Sequence, residues 1–219
     1  MREISKGGET RLRILAAALE LFRDKGFEAA TMRDIAARAG VATGSAYYYC
    51  PSKDAIVLAF YEQSANEMEG QLEEILARST DLRKRLAGVI AVKLGYFESS
   101  RRLLAALAAH VDPAHPLSPF SEQTRETRER DVAVFERTLS GSRVRIALDL
   151  KDSLPRLLWM YQMGLILYWI HDRSPGQKRT AALIERSVPL VVKLIQLSSL
   201  PLMRPLRKRV VELWDIACE

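Results

Sequence analysis

The chain has 219 residues, of which 48% are hydrophobic and 27% are charged, and lysine and arginine outnumber aspartate and glutamate by 33 to 27. This composition excludes an intrinsically disordered chain, and the length is sufficient for a hydrophobic core. The net charge of +6 is compatible with a polyanionic partner but does not identify one.

The cysteines and the apolar segments exclude further classes of protein. Cys50 and Cys218 form neither a CxxC motif nor a disulfide framework, which indicates a reducing compartment. The first ten residues are polar and lack the apolar run of a signal peptide. The most apolar segment, 157–171, is shorter than the roughly 18–20 residues that cross a bilayer. We therefore expect a cytoplasmic protein with no membrane partner.

The spacing of apolar residues predicts helices throughout the chain and no sheet. The first helix is expected over 10–25, capped by its first residue and ended by Gly26. Thr31 begins a capping box for a second helix, which Gly40 ends after two turns. A third short helix is expected at about 43–49.

Seven longer helices are predicted after these three, separated by loops rich in proline, glycine and serine. Their predicted ranges are 51–78, 82–98, 101–110, 118–139, 154–172, 177–197 and 202–217. The sequence thus predicts an all-α fold with two domains, which are three short helices in residues 1–52 and a larger helical body in residues 53–219.

Residues 31–53 have the features that a DNA-reading helix-turn-helix requires. Two short helices that cross at a steep angle need small residues where they touch. The sequence offers four alanines for this contact, Ala36, Ala37, Ala39 and Ala46. Gly40 permits the sharp turn. The third helix then begins with small polar residues that leave backbone amides accessible to phosphates, namely Thr43, Gly44 and Ser45.

Side chains around this motif are predicted to contact DNA. Tyr47 and Tyr48 can donate their hydroxyls to phosphates, Lys53 supplies a charge for the DNA backbone, and Arg33 can reach a phosphate or a guanine edge. Because three consecutive helical residues cannot point the same way, at least one of the tyrosines at 47–49 is expected to pack in the core. The predicted DNA-binding set is Thr31, Arg33, Thr43, Gly44, Ser45, Tyr47, Tyr48 and Lys53.

Ten residues between positions 31 and 53 follow a spacing that is found in a known protein family. They are Thr31, Ile35, Ala36, Ala39, Gly40, Val41, Gly44, Tyr47, Tyr49 and Lys53. This spacing resembles the amino-terminal motif of the TetR family of bacterial transcriptional regulators, and the resemblance covers residues 10–61. It implies a homodimer that binds double-stranded DNA at a palindromic operator. It also implies an inducer pocket in the helical body, under the helix that begins at Pro51.

Four positions depart from the family pattern, Ala42, Ser45, Ala46 and Cys50, and one nearby charge has a plainer interpretation. Ala42 stands where a serine is common, so a capping hydroxyl has to come from Thr43 or is absent. Cys50 stands where an aromatic residue is common. We interpret it as a small packing residue, with a redox switch as the alternative. Arg38 is interpreted as a solvated surface charge.

The family's dimer interface consists of the last two long helices of the body, and the resemblance transfers that role to 154–172 and 177–197. The first of these is apolar almost all round, as expected when one face meets the subunit's own core and another meets a second subunit. The predicted interface residues are Tyr161, Gly164, Leu165, Tyr168, Leu183, Leu190, Val191 and Leu194. The predicted helix at 202–217 follows these two helices and is an addition to the family's dimer interface.

The inducer is expected to be an apolar or aromatic small molecule, because aromatic and flexible side chains are available to surround it. The candidate pocket residues are Tyr96, Phe97, Leu104, Phe120, Phe135, Trp159 and Met163, and each can instead be ordinary core. No metal or cofactor is predicted, since His110, Asp112 and His115 share a loop without a fourth ligand.

The favoured function is therefore a sequence-specific repressor that a small molecule releases from its operator. Two alternatives stay open, which are a DNA-binding dimer without ligand sensing and a small helical enzyme with an apolar substrate pocket. The sequence contains no GxSxG, HExxH or phosphate-binding glycine loop, which argues against the enzyme.

Overall fold

The computed structural model describes residues 6–218, with side chains described up to Leu213. The expectations for the amino-terminal residues before Lys6 and for the Cys218 side chain lie outside this part. The described residues form helices and turns with no strand, which confirms the all-α prediction. The helices are α1 (Lys6–Asp24), α2 (Met32–Ala39), α3 (Thr43–Tyr49), α4 (Lys53–Ala77), α5 (Leu82–Phe97), α6 (Arg101–Leu107), α7 (Arg125–Ser140), α8 (Ser153–His171), α9 (Lys178–Ser198) and α10 (Arg204–Cys218).

The start of α1 differs from the prediction. The helix begins at Lys6, so Thr10 lies inside it, and the Thr10 hydroxyl donates to the Lys6 carbonyl at 3.0 Å instead of capping the helix. The end agrees with the prediction, because Gly26 adopts a φ of 90° just beyond the helix. The buried face of α1 centres on Ile14, Ala18 and Phe22.

The start of α7 also differs from the prediction, because the segment 118–124 is not helical. The Thr124 hydroxyl donates to the Ser118 carbonyl at 2.7 Å, and the Ser121 hydroxyl donates to the Pro116 carbonyl at 3.0 Å. Serine and threonine hydroxyls compete in this way with the hydrogen bonds of a helix. The helix therefore begins only at Arg125.

The described residues divide into two compact units, one comprising residues 6–67 and 96–128 and the other 68–95 and 129–218. This division differs from the predicted boundary after residue 52. In the first unit, the Arg102 guanidinium of α6 donates to the Arg23 and Asp24 carbonyls at the end of α1, each at 3.0 Å. The Phe97 ring meets the Phe60 ring edge to face, with centroids 5.9 Å apart. Residues 96–128 are thus part of the same core as the short amino-terminal helices.

In the second unit, the buried Arg85 of α5 holds the ends of two other helices. Its Nε donates to the Thr138 carbonyl at 2.8 Å, and its terminal nitrogens donate to the carbonyls of Arg137, Leu76 and Ser79. The last carbonyls of a helix have no partner within the helix. Arg85 therefore satisfies carbonyls at the ends of α4 and α7 together.

Asp172 fixes the turn between α8 and α9. Its carboxylate accepts hydrogen bonds from the Ser174 amide at 2.8 Å, the Thr180 amide at 2.8 Å and the Thr180 hydroxyl at 2.7 Å. These bonds, the one from the Thr180 hydroxyl first, hold the pKa of Asp172 well below its usual value. The turn is closed by Gly176 and Gln177, which both have positive φ angles.

One face of α8 is buried, and the residues of this face are Leu154, Pro155, Leu158, Trp159, Gln162, Leu165, Trp169 and Ile170. The helix contains the most apolar segment of the chain. Even so, no helix in the described part of the protein combines the length and the apolarity needed to cross a membrane.

We expect the substitution Arg85→Met to lower the free energy of unfolding by about 2–4 kcal/mol, because buried carbonyls at two helix ends lose a charged donor. The measurement is urea denaturation followed by circular dichroism. Arg83→Met is the control, since Arg83 is exposed on the same helix and the expected change is below about 0.5 kcal/mol. Equal effects of the two substitutions would contradict the role assigned to Arg85.

Candidate functional site

The start of α2 is fixed by a reciprocal pair of hydrogen bonds. The Asp34 amide donates to the Thr31 hydroxyl at 3.1 Å, and the Thr31 amide donates to the Asp34 carboxylate at 3.2 Å. The hydrogen bonds with Thr31 lower the pKa of Asp34, and Lys25 adds an ion pair at 3.4 Å. The predicted capping box is confirmed, and the Thr31 side chain is used to hold α2.

The crossing of α2 and α3 is made by small buried residues. Ala36 and Ala46 are 1% and 0% exposed, and Gly40 turns the chain with φ of 65° and ψ of 38°. The Val41 amide closes the end of α2 by donating to the Ala36 carbonyl at 3.0 Å. Of the other two alanines predicted at this contact, Ala39 is half-buried and Ala37 is exposed. The close approach therefore depends on one alanine from each helix.

An exposed face of α3 carries most of the predicted DNA-binding residues. Thr43 and Gly44 are exposed, Ser45 is half-buried, and the tyrosine side chains of Tyr47 and Tyr48 are 51% and 82% exposed. The Tyr49 ring is half-buried and lies edge to face with the exposed Tyr48 ring at 5.0 Å, so Tyr49 is the least exposed of the three tyrosines but does not lie in the core. No side chain caps the start of α3 at Ala42, so the hydroxyl missing there is not replaced.

Two arginines of α2 have different surroundings. Arg33 is exposed, and none of the ion pairs or hydrogen bonds among the described residues involves its guanidinium. Arg38 was interpreted as a solvated charge, but its guanidinium pairs with Glu20 at 3.1 Å and Asp24 at 3.5 Å on α1. The charge of Arg38 is used within the protein, whereas the charge of Arg33 faces solvent.

Lys53 is directed at the protein's own backbone. Its ammonium donates to the Phe27 carbonyl at 2.7 Å and to the Glu28 carbonyl at 3.3 Å, and it lies 4.6 Å from the centre of the Phe27 ring. This geometry differs from the outward orientation that a phosphate contact needs. Lys53 instead joins the start of α4 to the loop between α1 and α2.

Cys50 is 3% exposed and lies at the end of α3. Burial raises the pKa of its thiol, which keeps the sulfur in the protonated and less reactive form. The position therefore suits the packing role better than the redox role.

The predicted dimer residues lie in the second unit, and most of them are exposed. The side chains of Leu190, Leu194 and Tyr168 are 58%, 56% and 43% exposed, Leu183 is also exposed, and Val191 is half-buried. Gly164 is exposed, with no atom within 4 Å of the position that a Cβ would take.

Two residues of the predicted dimer interface are used within the subunit. Leu165 is 3% exposed, so it belongs to the subunit's own core and does not lie on an exposed interface. The Tyr161 hydroxyl shares a hydrogen bond of 2.6 Å with the Ser187 hydroxyl, which connects α8 to α9. Among the predicted interface residues, the exposed apolar side chains are therefore Tyr168 on α8 and three leucines on α9, while α10 exposes further leucines, Leu206 and Leu213.

The seven predicted pocket residues do not share one environment. Phe97, Phe135 and Trp159 are buried, while Leu104 and Met163 are half-buried. Tyr96 is half-buried and its hydroxyl donates to the Glu67 carboxylate at 2.6 Å.

Phe120 is 43% exposed, so the structure places it at the surface instead of in an enclosed interior. The second unit contains a cleft of about 960 Å³, which is lined by residues 79–83 and by parts of 143–145 and 189–199. None of the seven predicted pocket residues lines this cleft.

Sequence reasoning missed Gln162, a polar residue on the buried face of α8. Its side chain is 2% exposed, and neither its Nε2 nor its Oε1 has a hydrogen-bond partner. The signal was present in the sequence, because Gln162 is the only amide side chain in the apolar segment 157–171. Within the described residues, no three histidine, cysteine, aspartate or glutamate side chains are grouped so that they could hold a metal ion.

Two family models match the chain. "Bacterial regulatory proteins, tetR family" matches residues 14–60, and "Tetracyclin repressor-like, C-terminal domain" matches residues 85–212. Among curated proteins, the HTH-type transcriptional repressor KstR2 of Rhodococcus jostii is 27% identical over 144 residues, which are 64% of this chain and 71% of that protein.

Solved structures of regulators share the fold. A tetR-family transcriptional regulator from Streptomyces coelicolor matches with a TM-score of 0.68 at 18% identity, covering 93% of this chain and 89% of that one. The regulator FadR from Bacillus subtilis, in complex with stearoyl-CoA, matches with a TM-score of 0.61 at 15% identity, covering 80% of this chain and 95% of that one. These matches support the predicted arrangement of an amino-terminal helix-turn-helix and a larger helical region.

We expect Lys53→Met to lower the free energy of unfolding by about 1–3 kcal/mol, because two carbonyls lose a charged donor. Lys25→Met is the control, since its ammonium makes only an exposed ion pair, worth about 0–1 kcal/mol. Thermal unfolding of both variants provides the comparison. If Lys53→Met proved as mild as its control, the ammonium would be free for a phosphate, as the sequence had predicted.

Proposed function

This chain belongs to the TetR family of bacterial transcriptional regulators, and from that premise we propose that a homodimer of it represses a palindromic operator until a small apolar molecule releases it. The matched family models describe transcriptional regulators, and KstR2 is one as well. The chain is therefore a DNA-binding regulator and not an enzyme. A DNA-binding regulator acts on the chromosome, which supports a place in the cytoplasm.

The exposed face of α3 is the observation that carries the proposal. A recognition helix reads bases only when its side chains project from the protein into the major groove. We assign the DNA contacts of α3 to Thr43, Gly44, Ser45, Tyr47 and Tyr48.

The contacts outside α3 divide into direct and indirect ones. Arg33 is assigned to a phosphate or a base edge, because its guanidinium is exposed. Thr31 is assigned to the edge of the contact, since its hydroxyl already accepts the Asp34 amide. Lys53 holds the loop before α2 in place and so positions the helix-turn-helix.

The exposed leucines of α9 support the dimer. An apolar stripe on a soluble protein marks a surface that another molecule covers. Leu183, Leu190 and Leu194 follow one another at helical spacing, and Tyr168 with the open Gly164 extends the surface onto α8. A twofold dimer presents two recognition helices to half-sites about 34–36 Å apart, which is why the operator is expected to be palindromic.

Release of the DNA by a ligand is the most specific part of the proposed function. A ligand releases DNA only if it binds the released conformation more tightly than the DNA-bound one. KstR2 is a repressor, which supports repression here, and FadR was solved with stearoyl-CoA, whose long acyl chain supports a ligand with an apolar part. A gel-shift titration with DNA upstream of the gene, against random duplex as competitor, tests the whole proposal. An equal affinity for both duplexes would end it.

We expect Gly44→Ala to weaken binding to that DNA by about tenfold or more, because the added methyl group lies where the groove has to approach. The free protein has room for it, since no atom lies within 4 Å of the new Cβ. The same exchange in a helix stabilises a protein by about 0.5–1 kcal/mol, so folding is preserved. Gly70→Ala on α4, where the space is equally open, is the matched control and should bind DNA normally. Unchanged binding by Gly44→Ala would place α3 away from the DNA.

We expect Leu194→Glu to turn the dimer into a monomer, because two carboxylates would be buried against each other at a twofold interface. The mass in solution is measured by light scattering after size exclusion. Leu148→Glu is the control, since Leu148 is 89% exposed and lies outside the α9 stripe. A dimer that survives Leu194→Glu would contradict this assignment of the interface.

A further inference from the structure

Gln162 is the most anomalous polar residue in the second unit. It lies in the middle of α8 and is 2% exposed, and both of its side-chain polar atoms lack a hydrogen-bond partner. Buried polar groups are nearly always paired, because a buried amide that has given up water and gained nothing destabilises the folded state. An unpaired amide at this position therefore requires an explanation.

The surroundings of Gln162 on α8 are apolar. Leu158, Trp159 and Leu165 lie three or four residues away on the same helix face, and they are 2%, 5% and 3% exposed. A methionine has a similar length and volume and no polar atom, and α8 has methionines on either side, at Met160 and Met163. Packing alone would be served better by methionine, so the amide has another use.

We propose that the carboxamide of Gln162 binds the one polar group of an otherwise apolar ligand, and that this group is an uncharged hydroxyl or carboxamide. The proposal rests on the ligand-responsive function proposed above and names the chemical class of the ligand. Trp159, a little less than one turn before Gln162 on the same buried face, supplies apolar surface beside the amide.

The chemistry of the side chain determines this class. A glutamine carboxamide offers a donor at Nε2 and an acceptor at Oε1, so a group that both accepts and donates satisfies both atoms. A carboxylate only accepts, and it would bring a negative charge against Oε1. Burying a charge among these apolar residues without an opposite charge is also far more costly than burying a neutral group.

The test uses four probes with the same eight-carbon chain: octanamide, 1-octanol, octanoate and 1-chlorooctane. Binding to the full-length protein is measured by calorimetric titration, and the melting temperature is measured without any probe. The variant is Gln162→Met, which keeps the size of the side chain. Gln63→Met is the matched control, because the Oε1 atom of Gln63 also lacks a partner but lies in the first unit.

The unsubstituted protein should bind octanamide and 1-octanol about tenfold more tightly than 1-chlorooctane, which is the effect of one good hydrogen bond. Octanoate should bind no better than 1-chlorooctane. Gln162→Met should remove this preference and leave the probe-free melting temperature equal or higher, whereas Gln63→Met should keep the preference.

Three results would overturn the assignment. The first is a fall of several degrees in the probe-free melting temperature of Gln162→Met, which would show that the protein itself pairs the amide. The second is equal affinity of the unsubstituted protein for all four probes, and the third is no binding of any probe. The gel-shift titration described above is repeated with each probe, and if the preference holds but no probe alters DNA affinity, the release mechanism fails and the role of Gln162 stands.

Discussion

The helix-turn-helix depends on the close approach of two helices that are too short to be stable alone. The helices α2 and α3 have eight and seven residues, and isolated helices of that length are not stable in water. They persist because Ala36 and Ala46 let the backbones meet, and because Gly40 reverses the chain in the left-handed conformation. Everything proposed for DNA binding follows from this contact, since it is what leaves Thr43, Gly44 and two tyrosines on the outer face of α3.

Sequence reasoning succeeded where the cause of a structure lies within a few residues. The capping box at Thr31 and Asp34 and the turn at Gly40 are local, because each hydrogen bond or dihedral angle involves neighbours in the chain. It failed where the partner is distant. The carbonyl of Phe27 that receives the Lys53 ammonium is 26 positions away, and nothing in the motif distinguishes a lysine that holds a loop from one that binds a phosphate.

The larger helical region was harder to predict for a different reason. A helix that is apolar almost all round, such as α8, does not reveal which residues face its own core, so Leu165 was assigned to a dimer surface although it is buried. The sequence indicates aromatic pocket candidates by residue type alone, and the structure shows that one of them, Phe120, is exposed. Gln162 shows the opposite case, since a lone amide in an apolar segment can be noticed in the sequence. Only the structure shows that this amide is buried and has no hydrogen-bond partner, and these two facts make it a candidate ligand-binding group.

The bond from Arg102 to the end of α1 bears on how regulators of this kind can be recombined. The carbonyls of Arg23 and Asp24 receive their donor from α6, and the Phe60 ring packs on Phe97, so the amino-terminal helices are completed by residues that follow them by a long stretch of chain. A segment cut after residue 52 would leave the Arg23 and Asp24 carbonyls without the Arg102 donor. Chimeras that exchange operator specificity between family members are therefore expected to be more stable when the segment around 96–107 is transplanted together with the amino-terminal helices.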